Sequence, residues 1–407
     1  MVRMTWEDTH KGVTIVDLHS HPALKAMIMD YDLGKDNKRW LLKFFERGFF
    51  PFSDRVTFPK MEKGGVDVLL STAYILEREW VKDISLIRWL LRLVPSVRRI
   101  LIDPSYFDVT NYMLDEMEHQ IEAYNISREG RAAHLALSVE DLNKGLDAGS
   151  MCVVHSIEGA HSLETHDHNT EEELLNNLEH FFNRGVAYLT LAHFYPNKIA
   201  YPAFPYPEYA LKHLKWKKIL GQWDMNEGLT PVGEKVVEKM LELGMLIDIV
   251  HCTPKGRSQV RDIASHHNKK NCVIASHMAT FEINRDPMNL TDEEIKWMAD
   301  NGGVIGVILM NYYLAPYAAA LGLKHVENNI NHIINVGGID TVGIGTDFDG
   351  FTDPPDEIVD MSELPRLTKY LAALGYNDEQ LKKLLGGNAL RVLRDGWGKK
   401  HTETILL

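Results

Sequence analysis

Apolar residues gather along this chain in short runs rich in β-branched side chains, separated by stretches with helical spacing. The runs are VTIVDLH (13–19), GVDVLLSTAY (65–74), MCVVHSIE (151–158), VAYLTLAH (186–193), MLIDIVH (245–251), CVIASH (272–277), VIGVIL (304–309) and VGIGTDF (342–348), eight in all. A strand with one wet face alternates apolar and polar residues; these runs are nearly continuous, so both faces are expected to be covered. Eight buried strands alternating with helices predict an α/β fold, a (β/α)8 TIM barrel of parallel strands formed by residues 1–407 as one unit. The helical stretches carry end signals. TPVGEKVVEKMLELG opens with Thr230 as N-cap and Pro231 in the first turn, and stops at Gly244. TDEEIKWMADNGG repeats the design, with Thr291 as cap, acids in the first turn and Gly302 as terminator. Further helices are expected at 171–184, 254–268, 325–336, 362–374 and 378–385.

Two stretches exceed the minimal repeat and are read as insertions after the second and fourth strands. Residues 75–150 hold helical patterns and an extra strand candidate, AHLALSV; residues 194–225 are rich in Tyr, Pro and Trp. Loops after barrel strands form the catalytic face, so the second insertion reads either as a lid over a pocket or as a rigid surface loop or subunit contact.

Composition narrows the classes. Of 407 residues 45% are hydrophobic, enough for a large core, and the net charge of −13 with no long basic cluster sets nucleic-acid binding aside. The stretch LIRWLLRLVPSVRRIL (86–101) is read as an amphipathic helix packed on its own protein in preference to a membrane-surface segment. With neither a signal-like apolar region at the N-terminus nor a run of membrane-spanning length, a cytoplasmic protein without a membrane partner is expected. Cys152, Cys252 and Cys272 each lie in or beside an apolar run and read as buried free thiols. Apolar and glycine-rich surface helices permit a homodimer.

The chemistry is carried by where ionisable residues fall within the runs. His19 and His21 close the first, Glu158 the third, His193 the fourth, His251 the fifth, His277 the sixth, and Asp347 lies at the end of the eighth. In an extended chain side chains alternate, so His19 and His21 face one way. Core histidines and surface acids have no reason to gather at the carboxyl ends of six strands; a reaction centre in the mouth of a barrel requires it. Imidazole and carboxylate are the usual donors of catalytic zinc, so two Zn2+ or similar divalent ions are expected, with Glu158 offering one oxygen to each. A hydroxide held between two such ions exists near neutral pH and attacks a carbonyl. Asp347 would act as general acid and base, and His193 would hydrogen-bond the carbonyl oxygen.

The ordered set SIEGAH, LTLAH, LGMLIDIVH, VIASH, NLTDEE, VGIGTDFDG and GGNALRVL resembles the renal (membrane) dipeptidase family, peptidase family M19 of the amidohydrolase superfamily, over roughly residues 13–395. The resemblance implies a binuclear zinc barrel that hydrolyses dipeptides. It matches His19 to the first family histidine, Glu158 to the bridging glutamate, and His251 and His277 to the histidines of the second metal. His193 matches the substrate-binding histidine and Asp347 the proton carrier. Two departures stand out. The family writes His-x-Asp at the first strand and this chain writes His-x-His, so His21 is expected to bind the first metal beside His19. Where the family places an arginine that pairs with the dipeptide carboxylate, this chain has Met288. Arg285 either takes over that role or is a surface charge; Tyr312 joins His193 and Arg285 as a candidate substrate contact. Two other readings stay open: an amidohydrolase acting on another small amide or ester, such as an N-acyl amino acid or lactone, and an inert barrel with a binding role. The intact Glu158, His251, His277 and Asp347 oppose the latter.

Overall fold

A computed structural model of the chain describes residues 5–37, 53–79, 104–166, 169–203, 224–316 and 322–398. Nine strands occur among them: β1 (Ile15–Ser20), β2 (Val66–Tyr74), β3 (Ala133–Leu135), β4 (Met151–Glu158), β5 (Val186–Thr190), β6 (Leu246–Asp248), β7 (Val273–Met278), β8 (Val304–Ile308) and β9 (Val342–Gly345). All pairings are parallel, in the order β1-β2-β4-β5-β6-β7-β8-β9, and β3 adds to β4 off this path. The ring closes where the chain leaving β9 meets β1. Ser20 pairs with Phe348, Asp347 N donates to His19 O at 2.9 Å, and His21 N donates to Phe348 O at 2.8 Å. Asp17 adds a side-chain stitch across the closure, its carboxylate accepting from Thr346 N at 2.8 Å and Thr346 Oγ1 at 2.7 Å. The expected (β/α)8 barrel is the fold, and AHLALSV does supply the extra strand.

Adjacent residues of one strand enter different cores, which explains the continuous apolar runs. Leu18, Val68, Leu70, Cys152, Val154, Tyr188, Leu246 and Ile274 fill the barrel interior with the helix Asn388–Gly396 against them. Leu69, Val153, Leu189 and Ile247 point outward to the surrounding helices. Helix ends follow the sequence signals. Thr230 caps Pro231–Leu243, which stops at Gly244 with φ 77°, and Thr291 forms a reciprocal capping box with Glu294 at the start of Asp292–Asp300. The helix expected at 378–385 ends instead at Lys382 and runs through a π-turn, Lys383–Gly387, into Asn388–Gly396. Gly386 sits in that turn because a Cβ there would collide with the Thr14 carbonyl just before β1.

Three expected strand ends are shorter in the structure. β5, β6 and β9 stop three residues, three residues and two residues before His193, His251 and Asp347 respectively, so these side chains stand on loops at the barrel mouth. His21 likewise follows β1 and opens the helix Pro22–Met29. Of the two insertions, the first contains the 22-residue helix Tyr106–Ser127 and β3, while the basic amphipathic stretch 86–101 lies outside the described residues. Most of the second also lies outside them; its described flank reaches the mouth, where Ala203 N donates to His251 O at 2.6 Å. No helix among the described residues is long and apolar enough to cross a membrane. All three cysteines are buried and unpaired to one another, as read from their apolar surroundings.

Candidate metal centre

Glu158, the last residue of β4, is 2% exposed, and five imidazoles surround its carboxylate. Oε1 lies 3.1 Å from His251 Nε2, 3.4 Å from His277 Nε2 and 3.4 Å from His19 Nε2. Oε2 lies 3.4 Å from His21 Nε2 and 3.5 Å from His193 Nε2. Two imidazole pairs flank the carboxylate: His19 and His21 with Nε2 atoms 3.0 Å apart, and His251 and His277 with Nε2 atoms 3.3 Å apart. Five ring nitrogens are more than one carboxylate can satisfy by hydrogen bonds. Their spacing does match ligands of a shared ion, since tetrahedral zinc with nitrogens at 2.0–2.1 Å sets them about 3.3 Å apart. His19, His21 and Glu158 form one group able to hold a metal ion, and Glu158, His251 and His277 form a second. The donor chemistry and spacing therefore fit two divalent ions sharing Glu158. A third grouping, His19 with Asp248 and His277, is different: the Ser276 hydroxyl fills its centre, 2.7 Å from Asp248 Oδ2, 2.9 Å from His277 Nδ1 and 3.2 Å from His19 Nδ1.

Electrostatics at Glu158 and His277 agree with a ligating state, whereas His21, lowered by burial, is carried above its ordinary value by the Asp347 hydrogen bond and the charge of Glu158. Burial would raise the Glu158 carboxyl, yet the charges of His193 and His19 and the hydrogen bonds of His19 and His251 hold it well below the usual range. Burial and the neighbouring His19 push His277 well below its ordinary value, which keeps the ring neutral and able to ligate.

Hydrogen bonds fix which nitrogen faces the centre. Tyr188 Oη donates its single proton to Leu18 O at 3.0 Å, so it accepts from His19 Nδ1 at 2.7 Å and leaves His19 Nε2 bare. Ser276 Oγ donates to Asp248 and accepts from His277 Nδ1 in the same way. His193 Nδ1 lies 3.0 Å from Glu77 Oε1. Among the described residues, Nδ1 of His21 and Nδ1 of His251 have no partner although both are buried.

Asp347 stands beside the first pair, Oδ1 3.3 Å from His21 Nε2. Its φ of 55° and that of His251, 64°, lie in the left-handed region, an unfavourable backbone held by the surrounding structure. Gly350 allows the close turn: a Cβ there would collide with Asp347 Oδ1 and press on the His21 ring. The structure thus brings together His19, His21, Glu158, His193, His251, His277 and Asp347. It does not bring Arg285 to them by any contact. Arg285 is exposed, with no ion pair among the described residues, on the loop after β7. Met288, three residues on, is buried in the core. Tyr312, after β8, is half-buried, its ring 4.2 Å from that of Tyr313.

Glu77, Asp17, Asp248, Tyr188 and Ser276 were not among the expected site residues. For Asp17 and Asp248 a signal existed, an acid embedded in an apolar run, and each is wholly buried and saturated with donors. Glu77 gave none, because ILERE reads as an ordinary solvated segment.

The sequence profile of the membrane dipeptidase family, peptidase family M19, matches residues 10–403. The chain belongs to this family. It is 30% identical to dipeptidase 3 of Mus musculus over 283 residues, 69% of this chain and 52% of that one. It is 36% identical over 180 residues to an uncharacterized protein in the pqqA 5' region of Klebsiella pneumoniae, 44% of this chain and 64% of the relative. These matches span between half and two thirds of the curated relatives' length. Among solved structures, the fold resembles a metallo peptidase from Rhodobacter sphaeroides liganded with a phosphinate mimic of the dipeptide L-Ala-D-Ala, with a TM-score of 0.71 at 19% identity over 95% of this chain and 99% of that one. It also resembles dipeptidase AC, a family M19 metallo peptidase, with a TM-score of 0.70 at 20% identity over the same shares.

Proposed function

We propose that this chain is a dipeptidase that uses two divalent transition-metal ions, zinc being the best fit to the donors, to hydrolyse the peptide bond of a dipeptide. The observation that carries the proposal is the Glu158 carboxylate with a histidine pair at each flank. His19 and His21 would hold one ion, His251 and His277 the other, and Glu158 both. Bound there, the metals supply Lewis acidity, lowering the pKa of a water and polarising the carbonyl.

The chain's own groups do the rest. Asp347, beside the first pair, takes a proton from the attacking water and returns it to the amine as the C–N bond breaks. His193 faces Glu158 from the opposite loop and steadies the carbonyl oxygen as charge builds on it. A second reading, an amidohydrolase of another small amide or ester such as an N-acyl amino acid or lactone, is favoured by the buried Met288 and by the exposed Arg285, which has no ion pair among the described residues.

Metal analysis with a substrate panel tests both. Purified protein is expected to carry close to two transition-metal ions per chain, to hydrolyse dipeptides, and to lose activity on chelation. Glu158→Gln is expected to lose metal and at least about a thousandfold in activity, because a neutral amide cannot serve two cations. Full activity after metal removal would sink the mechanism; activity confined to N-acyl amino acids or lactones would select the second reading.

A further inference from the structure

We propose that Asp349 is a positioning residue for Asp347, its carboxylate clipping the turn after β9 to the stretch of chain between β1 and β2. The inference rests on the reading that Asp347 carries the proton. Asp349 is 1% exposed, and both its oxygens face backbone donors, Oδ1 accepting from Arg55 N at 2.9 Å and Oδ2 from Val56 N at 2.9 Å. The positive charges of Lys25, Lys60 and Arg55 partly offset the burial of this carboxylate. The receiving segment is itself tied down: Arg55 O accepts from Met361 N at 3.0 Å, and the Arg55 guanidinium donates to Val359 O.

The clip holds an unfavourable backbone. Asp347, Asp349 and Phe351, at φ 55°, 64° and 61°, are three of the seven non-glycine residues with positive φ among the described residues, and such a run persists only where its neighbours over-determine it. At one end Asp347 N donates to His19 O at 2.9 Å, and at the other the Phe351 ring lies 4.2 Å from Lys25 Nζ. Asp349 supplies the hold between them. Gly350 links that hold to the chemistry, because its backbone lies against the Asp347 carboxylate and the His21 ring; a Cβ on it would meet Asp347 Oδ1 and His21 Cδ2. With Asp349 released from Arg55 and Val56, Gly350 is free to shift, and Asp347 Oδ1 loses the surface that directs it at the first histidine pair.

Two substitutions grade the loss of the clip without forbidding the turn. Asp349→Gly removes both acceptors and keeps the left-handed backbone accessible. Asp349→Asn also tolerates that backbone, keeps one acceptor and sets an amide NH2 against the other donor.

On dipeptides, with two metals confirmed, kcat is expected to fall about a hundredfold in Asp349→Gly and about tenfold in Asp349→Asn, with KM moved less than kcat. Hydrogen exchange at the Arg55 and Val56 amides should accelerate in the same order. Each change is then placed in Asp347→Asn, where no proton carrier is left to misplace, and should cost less than about threefold there. An equal loss in both backgrounds would make Asp349 a support of the fold alone, and a Gly variant with the parent's kcat would make the clip irrelevant to catalysis; either result overturns the proposal. Should the Gly variant fail to fold, the Asn variant decides through the same cycle. A parent that hydrolyses no dipeptide would instead sink the proposed activity. Exchange at the Gly350 amide, which donates to Asp347 O, then judges the clip: faster in the variants if Asp349 holds the turn, unchanged if it does not.

Discussion

The residues around Glu158 come in two kinds. His19 and His277 lie within strands β1 and β7, and each has its Nδ1 bound by a hydroxyl whose proton is committed elsewhere. His21 and His251 follow the ends of β1 and β6, and neither Nδ1 has a partner among the described residues. Each candidate metal pair contains one of each. A strand residue inherits its direction from the sheet and needs only its tautomer fixed; a loop residue depends on the turn that carries it, as the left-handed His251 and the N-terminal helix position of His21 illustrate. The strand-borne member is thus organised before any ion arrives, and the loop-borne member completes the site with a ring whose outer nitrogen has no partner among the described residues.

Asp347 is the sharpest test on the loop side. Because Asn tolerates the left-handed region nearly as well as Asp, Asp347→Asn leaves the turn intact and changes only the chemistry. Activity is expected to fall by roughly two to four orders of magnitude with most of the metal retained. Metal loss in step with activity would make Asp347 a ligand and move it into the class of His21 and His251.

The same division explains what was legible in the sequence. Buried barrel strands write themselves as apolar runs, so β1, β2, β4 and β7 are found nearly to the residue, and with them His19, Glu158 and His277. His193, His251 and Asp347 were found too, but as strand ends, since an apolar run continues through LAH, IVH and TDF while the backbone has already turned. Hydrophobic pattern reports burial, and these turns are as buried as the strands. Glu77 escaped because two of its partners, His193 and Phe194, come from a loop more than a hundred residues away. The family resemblance pointed to Met288 as a departure, and its place in the core shows why no charged group can stand there without rearrangement.

Buried acids offer a second way to separate strand from loop. Asp17, on β1, accepts from Thr346 and the His19 backbone; burial raises its carboxyl to about 6 against those hydrogen bonds and the charge of His19, whereas Glu77, on a loop, is held down to about 2 against its burial by His193, His161 and Tyr74. For Asp17 the native state binds the proton more tightly than the unfolded chain does, so its contribution to stability is full below about pH 4 and is lost as the pH rises through about 6. Asp17→Asn keeps an amide oxygen for Thr346 N and does not titrate. With a chelator present, the stability of the parent relative to this variant is expected to fall by up to about 3 kcal/mol between pH 4 and pH 7, measured by denaturant unfolding. A constant difference across that range would mean that Asp17 shares a charge with the closure and is not held as a neutral stitch.

The smallest effect tests the anchoring itself. Ser276 Oγ touches the strand-borne ligand of both pairs, at 2.9 Å from His277 Nδ1 and 3.2 Å from His19 Nδ1, while its proton goes to Asp248. His19 keeps Tyr188 as a second acceptor; among the described residues His277 Nδ1 has no partner besides Ser276. Ser276→Ala removes one oxygen, leaves the apolar packing of β7 nearly unchanged, and takes nothing from His21 or His251. If pre-set tautomers are what the strand-borne residues contribute, metal affinity should weaken by about 10–100-fold at the His251–His277 site and by less at the His19–His21 site. Zinc titration against a chromophoric chelator would resolve the two. Equal weakening would place the loss in Asp248, whose other strong side-chain donor is Thr190, and unchanged binding at both would mean that strand-borne and loop-borne imidazoles reach the ion equally well without an outer partner.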